Sequence, residues 1–207
     1  MDATFGTVLE GELGSRYGRV AGYLSELDEG LASYPECVVH SGVARFVLAA
    51  APEARSEPPP LVEALLDRPR DPWTPEVVVQ AMVLAIAARA GMSNARLAAW
   101  SRATSAELFR APLLRTPMAF DSPEALLERA GLRWHGMRRG TELSVEGDGP
   151  RGAVFLLRFP PRLFAPTHLH ALAEGFAAAI EHARARAAIV EIARASATSA
   201  AFVARWS

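Results

Sequence analysis

The sequence contains no lysine, so all 22 of its basic residues are arginines. Asn94 is its only asparagine and Gln80 its only glutamine, whereas alanine and arginine are abundant. Because lysine, asparagine and isoleucine have AT-rich codons, this composition indicates a GC-rich bacterial genome. Arginine is then partly a compositional default, and a cluster of arginines supports a phosphate site less strongly than usual. The missing lysine also excludes a Ser-x-x-Lys catalytic motif.

Cysteine and long apolar runs are also scarce. Cys37 is the only cysteine, which excludes an intramolecular disulfide and a cysteine-rich metal site. The longest nearly apolar run covers residues 77–88, whereas a membrane span needs about 20 residues. Residues 1–14 lack the basic start and apolar core of a signal peptide. We therefore expect a soluble, cytoplasmic protein.

The composition that remains is that of a globular domain. Half of the 207 residues are hydrophobic and 22% are charged, enough to build a buried core. The net charge of −1 is unevenly spread, with acids concentrated before residue 37 and arginines after residue 150. This asymmetry either steers an anionic partner to the C-terminal part or only lets two oppositely charged regions offset each other.

Apolar periodicity predicts helices over the first part of the chain. Spacings of three and four indicate helices over residues 14–33, 37–50 and 61–68, with a proline-rich loop over 51–60. Thr74-Pro75-Glu76 is a helix start, and the helix to Ala90 is apolar on almost every side, as in a buried central helix. Ser93 caps a helix over 94–110, and Ser122-Pro123-Glu124 starts one that ends at Gly131.

After Gly131 the apolar period changes from 3.6 to 2, which predicts strands. Residues 132–137 and 141–146 form a hairpin, residues 153–159 a third strand, and residues 187–194 and 201–206 two more after a helix beginning at Thr167. We predict an α+β fold of one domain, with a mainly helical half over 1–131 packed on an antiparallel β-β-β-α-β-β half over 132–207.

Several motifs raise chemical hypotheses. Residues 147–152 match Gly-x-Gly-x-x-Gly but lie between two predicted strands, so we interpret them as a hairpin loop and not as a dinucleotide site. His170 and Glu174 share a helix face near His168, which is a metal-capable spacing without an evident third ligand. His40 could be a haem ligand on an apolar helix or simply a core histidine.

A catalytic site is not predicted. Gly-x-Ser-x-Gly is absent, and Cys37 and His40, although three residues apart, lack a third orienting group. Cys37 is then better interpreted as a small buried residue than as a nucleophile. We therefore predict no catalytic residues and favour a non-enzymatic protein.

Binding surfaces remain as alternatives. Residues 87–104 have the spacing of a helix-turn-helix, with Asn94, Arg96 and Arg102 toward DNA, although a plain helical corner explains the same pattern. Arginines on the predicted hairpins form either a patch for an anion or acidic protein or a solvated sheet face. The candidates for ligand or partner binding are Arg138, Arg139, Arg158 and four aromatic residues, Trp134, Phe155, Phe159 and Trp206.

The C-terminal pattern resembles known proteins. Its elements are Pro123-Glu-Ala-Leu-Leu, Leu132-Arg-Trp134, Phe155-Leu-Leu-Arg-Phe-Pro160, Gly175-Phe176 and Phe202-Val-Ala-Arg-Trp206. These residues resemble a family of uncharacterised proteins restricted to myxobacteria. More distantly they are similar to the ligand-binding fold of haem-based nitric-oxide sensors, vinyl-reductase-like domains and Golgi-trafficking subunits. The resemblance implies a small hydrophobic ligand or a protein partner, whereas the haem sensors' Tyr-x-Ser-x-Arg motif is absent.

Taken together, these patterns predict a non-catalytic signalling or adaptor domain that binds a small apolar ligand or a protein partner. The alternative is a DNA-binding regulator that uses residues 87–104. We expect no metal, no cofactor and no membrane association, with haem retained only as a minor alternative. Nucleic acid is disfavoured as a partner, and a homo-oligomer is left open.

Overall fold

The computed structural model describes residues 17–51, 71–115 and 122–207. Contacts within the chain group it into two compact units, residues 1–93 and residues 94–207. The predicted proline-rich loop after residue 51 and the helix over 61–68 lie outside the described residues.

The first unit combines helices with a pair of short antiparallel strands that are distant in the chain. Helix α1 (Gly18–Ser25) and a 3-10 turn (Gly30–Ala32) occupy part of the helix predicted over 14–33. Strand β1 (Val38–His40) precedes helix α2 (Ser41–Ala49), and strand β2 (Trp73–Pro75) precedes helix α3 (Glu76–Arg89). The prediction of one continuous helix over 37–50 is wrong at its start, because β1 pairs antiparallel with the distant β2.

Helix α3 confirms the prediction of a buried central helix, which was made from the apolar residues on almost every side of it. Val77, Met82 and Ala87 are each 0% exposed, and they lie on different sides of the helix. Two polar residues are buried with them, since Gln80 donates a hydrogen bond to the carboxylate of Glu76. Within the described residues, no single helix is long and apolar enough to span a membrane.

The second unit begins with helices. Helix α4 (Asn94–Arg110) has the predicted bounds, and it is followed by α5 (Pro112–Arg115) and α6 (Pro123–Glu128). The predicted start of α6 is confirmed, because Ser122 Oγ accepts a hydrogen bond of 3.3 Å from the backbone N–H of Ala125. Residues 138–139 form the short strand β3.

The strand predicted over 132–137 is wrong, because these residues belong to helix α7 (Ala130–Met137). Ala130 and Trp134, four residues apart, are buried at 8% and 4% exposure, whereas Leu132 between them is 73% exposed. That pattern has a helical period and not the period of two that we inferred from the sequence.

The second unit ends in a four-stranded antiparallel sheet of the order β4-β5-β7-β6. Its strands are β4 (Glu142–Gly147), β5 (Gly152–Arg158), β6 (Ala188–Ala195) and β7 (Ser199–Trp206), and helix α8 (Pro166–His182) connects β5 to β6. The α+β fold is therefore confirmed, with two strands of this sheet, instead of the predicted three, before the connecting helix. Phe155, Leu157 and Phe202 define the inner face of the sheet, on which α8 packs.

Candidate functional site

Helix α7 is anchored in the second unit by Trp134. The indole Nε1 donates a hydrogen bond of 2.9 Å to Thr141 Oγ1, and both residues are buried. The guanidinium of Arg138 lies 4.9 Å from the centre of the indole ring, a cation–π contact. One side of α7 is therefore held by a polar bond and by aromatic packing.

The aromatic packing extends from Trp134 into the inner face of the sheet. Phe176 on α8 has its ring centre 6.0 Å from that of Trp134. The same ring stacks on Phe155 at 4.7 Å and meets Phe202 edge-on at 5.2 Å. Trp134 and Phe155, two of the predicted binding residues, are thus brought together through Phe176, as parts of a packed core.

The opposite side of α7 is exposed. It carries Leu132, His135 and Gly136, which share one side of a helix by their spacing, and we call these three residues the α7 face. Leu132 is 73% exposed, one of two large hydrophobic residues with such exposure in the described structure. A Cβ atom added to Gly136 would meet no atom within 4 Å, so the space beside His135 is open.

His135 has the ring orientation that metal-bound histidines commonly adopt. Its Nδ1 lies 2.8 Å from the carbonyl oxygen of Gly131, one turn earlier in the helix. A carbonyl can only accept a hydrogen bond, so Nδ1 carries a proton, and in the neutral imidazole the lone pair is then on Nε2. Ligand histidines in proteins usually donate their second nitrogen to a carbonyl or carboxylate in this way.

His40 and His168 have the opposite orientation. Nδ1 of His40 accepts from the backbone N–H of Gly42 at 3.1 Å, so its ring proton lies on Nε2. Nδ1 of His168 likewise accepts from the backbone N–H of Ala165 at 3.2 Å, and this residue is 1% exposed. His40 also packs edge-on against Trp73, with ring centres 5.7 Å apart. Both rings accept a backbone N–H at Nδ1, so in this orientation Nε2 carries the proton and has no lone pair for a metal.

The predicted metal-capable group on α8 is not assembled in the described structure. His168 is buried while His170 is exposed, and the carboxylate of Glu174 accepts a 2.8 Å hydrogen bond from Arg102. No group of three or more histidine, cysteine or acidic side chains there could hold a metal ion. His182, at the end of α8, packs near Phe109. The pKa of its imidazole is lowered mainly by burial and to a smaller extent by the positive charge of Arg110.

Cys37 is placed as a buried residue. Its side chain is fully buried, and burial, with smaller contributions from Glu36 and Glu76, raises the pKa of the thiol to about 12. A thiol with that pKa is neutral at physiological pH, so it is a poor nucleophile and a poor metal ligand.

The other predicted binding residues lie apart from one another. Phe159 follows β5 and meets Phe164 edge-on at 5.1 Å, whereas Arg158 is exposed at the end of that strand. Trp206 lies near Glu124, and the pKa of the Glu124 carboxyl is lowered by its own backbone N–H, by Ser122 and, to a smaller extent, by Trp206. Residues 148–151 form the turn between β4 and β5, which confirms the hairpin reading of the glycine motif.

The segment proposed for DNA binding has one residue engaged elsewhere. Asn94 and Arg96 are exposed on α4, but Arg102 forks between Glu174 and Glu181 of α8. The DNA-binding alternative itself stays a prediction.

Our sequence reading missed His135, because it assigned residues 132–137 to a strand. The signal that could have revealed it was the pair Ala130 and Trp134, whose spacing of four is helical. On a helix, His135 lies one turn after Gly131 and beside Leu132, which is the arrangement that the structure contains.

No protein-family model matches the chain, and no curated protein matches its sequence. Solved structures do match it. The Fe(II) unliganded H-NOX protein of K. algicida is 10% identical with a TM-score of 0.54, over 81% of this chain and 96% of that one. The S. oneidensis H-NOX protein in its Fe(II)NO ligation state is 15% identical with a TM-score of 0.55, over 80% and 98%.

The chain shares its fold with H-NOX proteins. A third match, solved in work on modulating haem redox potential through porphyrin distortion, is 8% identical with a TM-score of 0.57, over 80% of this chain and 99% of that one. This likeness agrees with the resemblance to nitric-oxide sensors, while the resemblance to a myxobacterial family finds no support.

The likeness to H-NOX proteins also corrects the expectation that no cofactor is involved. Two of the matching H-NOX proteins were solved with iron, in the Fe(II) unliganded and the Fe(II)NO state. The third match was solved in work on haem. Haem is therefore the cofactor against which the residues of this chain must be tested. Of its five histidines, all in the described residues, His135 is the one whose Nδ1 is bound to a carbonyl.

Proposed function

We propose that this chain is a ligand-binding sensor domain and that its cofactor is haem, held by Nε2 of His135. The observation that carries the proposal is the hydrogen bond of 2.8 Å between Nδ1 of His135 and the carbonyl of Gly131. That bond leaves the Nε2 lone pair available and directed away from the helix backbone. The fold shared with H-NOX proteins supports the same reading. A non-catalytic signalling role in the cytoplasm is part of the proposal.

The surroundings of His135 suit a flat, largely apolar group. Leu132 offers exposed apolar surface one turn before His135, and Gly136 adds no side chain that would obstruct the approach. A macrocycle covering the α7 face would remove the exposed leucine from water, at about 25 cal/mol for each Å² of apolar surface.

Positive charge is concentrated on the same segment. Arg133 lies on α7, and Arg138 and Arg139 follow it directly. Arg138 lies against the Trp134 ring, on the side of α7 opposite to the α7 face. Guanidinium groups recognise carboxylates through paired hydrogen bonds, so the exposed Arg139 is the residue of this segment that suits a carboxylate of haem.

The residues of this chain would act by orienting and shielding. Gly131 holds the imidazole of His135 in one ring orientation, with Nδ1 toward the helix backbone. Trp134 holds α7 to the sheet on its other side, so His135 projects from a fixed helix. Haem held by His135 would supply an iron able to bind a small diatomic molecule.

A haemin titration of the full chain tests the proposal. The purified protein is expected to take up one equivalent of haemin with a shifted Soret band. After reduction, resonance Raman spectra should contain an iron–histidine stretching band. Substituting His135→Ala should abolish that band and weaken binding, and added imidazole should restore a ligated spectrum.

The matched control is His170→Ala, which removes an exposed histidine from α8. This variant should bind haemin as the unmodified chain does. If the unmodified chain does not shift the Soret band, haem is not its cofactor. If His135→Ala keeps the iron–histidine band, another residue is the ligand.

A further inference from the structure

The face of the four-stranded sheet opposite to α8 has an apolar centre. Val154 and Leu156 on β5 pair with Val203 and Ala201 on β7, and all four side chains are partly exposed. Ile189 on the neighbouring strand β6 is 65% exposed. We call the side of the sheet that carries these five residues the outer face. Contiguous exposed apolar surface of this kind is typical of a contact with another protein.

Charges of both signs border this apolar centre. Three acids lie on the two edge strands and three arginines at the ends of strands, all on the outer face: Glu142, Glu146, Glu191, Arg158, Arg194 and Arg205. Arg205 is bound to Asp148. Among the described residues, the structure pairs none of the other five in an ion pair. An apolar centre with a polar rim is the usual anatomy of a protein interface.

The presence of both acids and arginines favours a second copy of the same chain as the partner. A face of one sign would repel its own copy, whereas a face with three acids and two arginines beside the paired Arg205 can meet itself under a two-fold axis. A strongly charged partner such as nucleic acid would instead need a surface of a single sign.

The strand register places the charges for such a contact. Glu191 lies opposite Val203 and Arg194 opposite Ala201, so the two residues occupy neighbouring rows of β6. A two-fold axis running across the strands between these rows lays β6 on β6 of the second copy in the reverse direction. Glu191 of each copy then faces Arg194 of the other, and the apolar residues of the two rows stack on each other.

We infer that the outer face is a homodimer interface in which Glu191 and Arg194 form two reciprocal ion pairs around an apolar centre. This inference is independent of haem binding and of His135. Sedimentation velocity of the full chain over a range of concentrations measures it directly. The unmodified chain should sediment as a dimer that dissociates on dilution.

Charge reversal tests the pairing. Each single substitution, Glu191→Arg or Arg194→Glu, should raise the dimer dissociation constant by roughly tenfold or more, since like charges then face each other. The double variant that carries both should restore the dimer. A monomer at every concentration would overturn the inference, and so would an unchanged dimer in the single variants or no recovery in the double variant.

The matched control is Leu132→Glu, which places an acid on the other exposed large hydrophobic residue, in the α7 face. It should leave the dimer intact. Circular dichroism verifies that each variant is folded, and recovery in the double variant separates a lost contact from a lost fold. Loss of the dimer in Leu132→Glu would place the interface on the α7 face and overturn the inference.

Discussion

The guanidinium of Arg102 on α4 binds Glu181 on α8 over 2.7 Å, and through this contact it reaches the first residue of β6. The same nitrogen donates to the carbonyl of Ala188 at 2.9 Å, while Glu181 accepts from the backbone N–H of Ala188 at 3.1 Å. A second nitrogen of Arg102 binds Glu174. One side chain therefore joins two helices and the start of an edge strand.

Arg102→Ala should destabilise the second unit. The three side chains are each about one third exposed, so the loss is expected to be roughly 1 to 2 kcal/mol, less than for a fully buried pair. Arg102→Lys should lower the free energy of unfolding by part of this amount, because a single ammonium cannot reproduce the forked contact. Urea denaturation measures both, with the exposed Arg186→Ala as control. Equal stability of Arg102→Ala and Arg186→Ala would contradict the prediction.

Gly131→Ala and Gly136→Ala should have opposite effects although both lie in α7. A Cβ on Gly131 would approach the carbonyl oxygen of Leu143 to 2.8 Å, so α7 and β4 must separate, at a cost of about 1 to 3 kcal/mol. A Cβ on Gly136 meets nothing within 4 Å, and alanine there should stabilise the helix by up to ~1 kcal/mol. Chemical denaturation of the two variants decides it, and a shift of the same sign in both would contradict it.

Trp134→Phe should cost about 1 to 3 kcal/mol, because it removes the indole donor and leaves the buried hydroxyl of Thr141 without that partner. Thr141→Val should cost a similar amount. The double variant should be less destabilised than the sum of the two, since the hydrogen bond is lost only once. Simple additivity in this double-mutant cycle would show that the bond contributes nothing.

Cys37 should make stability fall at high pH. Its pKa is raised from 9.0 to about 12 in the folded protein, so the folded state holds the proton more tightly than the unfolded state. The contribution of the protonated thiol to the free energy of unfolding is complete below about pH 9. It is lost as the pH rises toward 12, and the free energy of unfolding then falls by about 1.4 kcal/mol per pH unit. Burial raises the pKa of Tyr23 as well, which adds to the decline at the upper end.

Two measurements test the Cys37 prediction. The unfolding free energy of Cys37→Ala should decline less between pH 9 and pH 12 than that of the unmodified chain. A thiol reagent at pH 8 should react with the native protein far more slowly than with the urea-unfolded chain, because the thiol is neutral and buried. Rapid reaction of the native protein would mean that Cys37 is accessible.

Helix starts and strong alternation were predictable from the sequence. Ser122-Pro123-Glu124 begins α6 as expected, because a capping hydroxyl and a proline at the first turn act within a few residues. The helix α4 and the strands β5, β6 and β7 also follow their local patterns closely. Residues 38–40 did not follow the helical pattern that was predicted for them. Their conformation depends on pairing with Trp73–Pro75, more than thirty residues away.

The sequence by itself determined that the chain has one cysteine, no lysine and an α+β order, and it led to the prediction of binding and not catalysis. It did so because composition, caps and apolar periods act locally. Only the tertiary structure decided that His135 lies on a helix, where its Nδ1 meets the carbonyl of Gly131 one turn earlier, whereas Nδ1 of His40 and of His168 meets a nearby backbone N–H. The burial of Trp134 against Phe176 made residues 130–137 a helix and exposed His135 on its other side. Such packing joins residues far apart in the chain, and a local pattern carries no record of it.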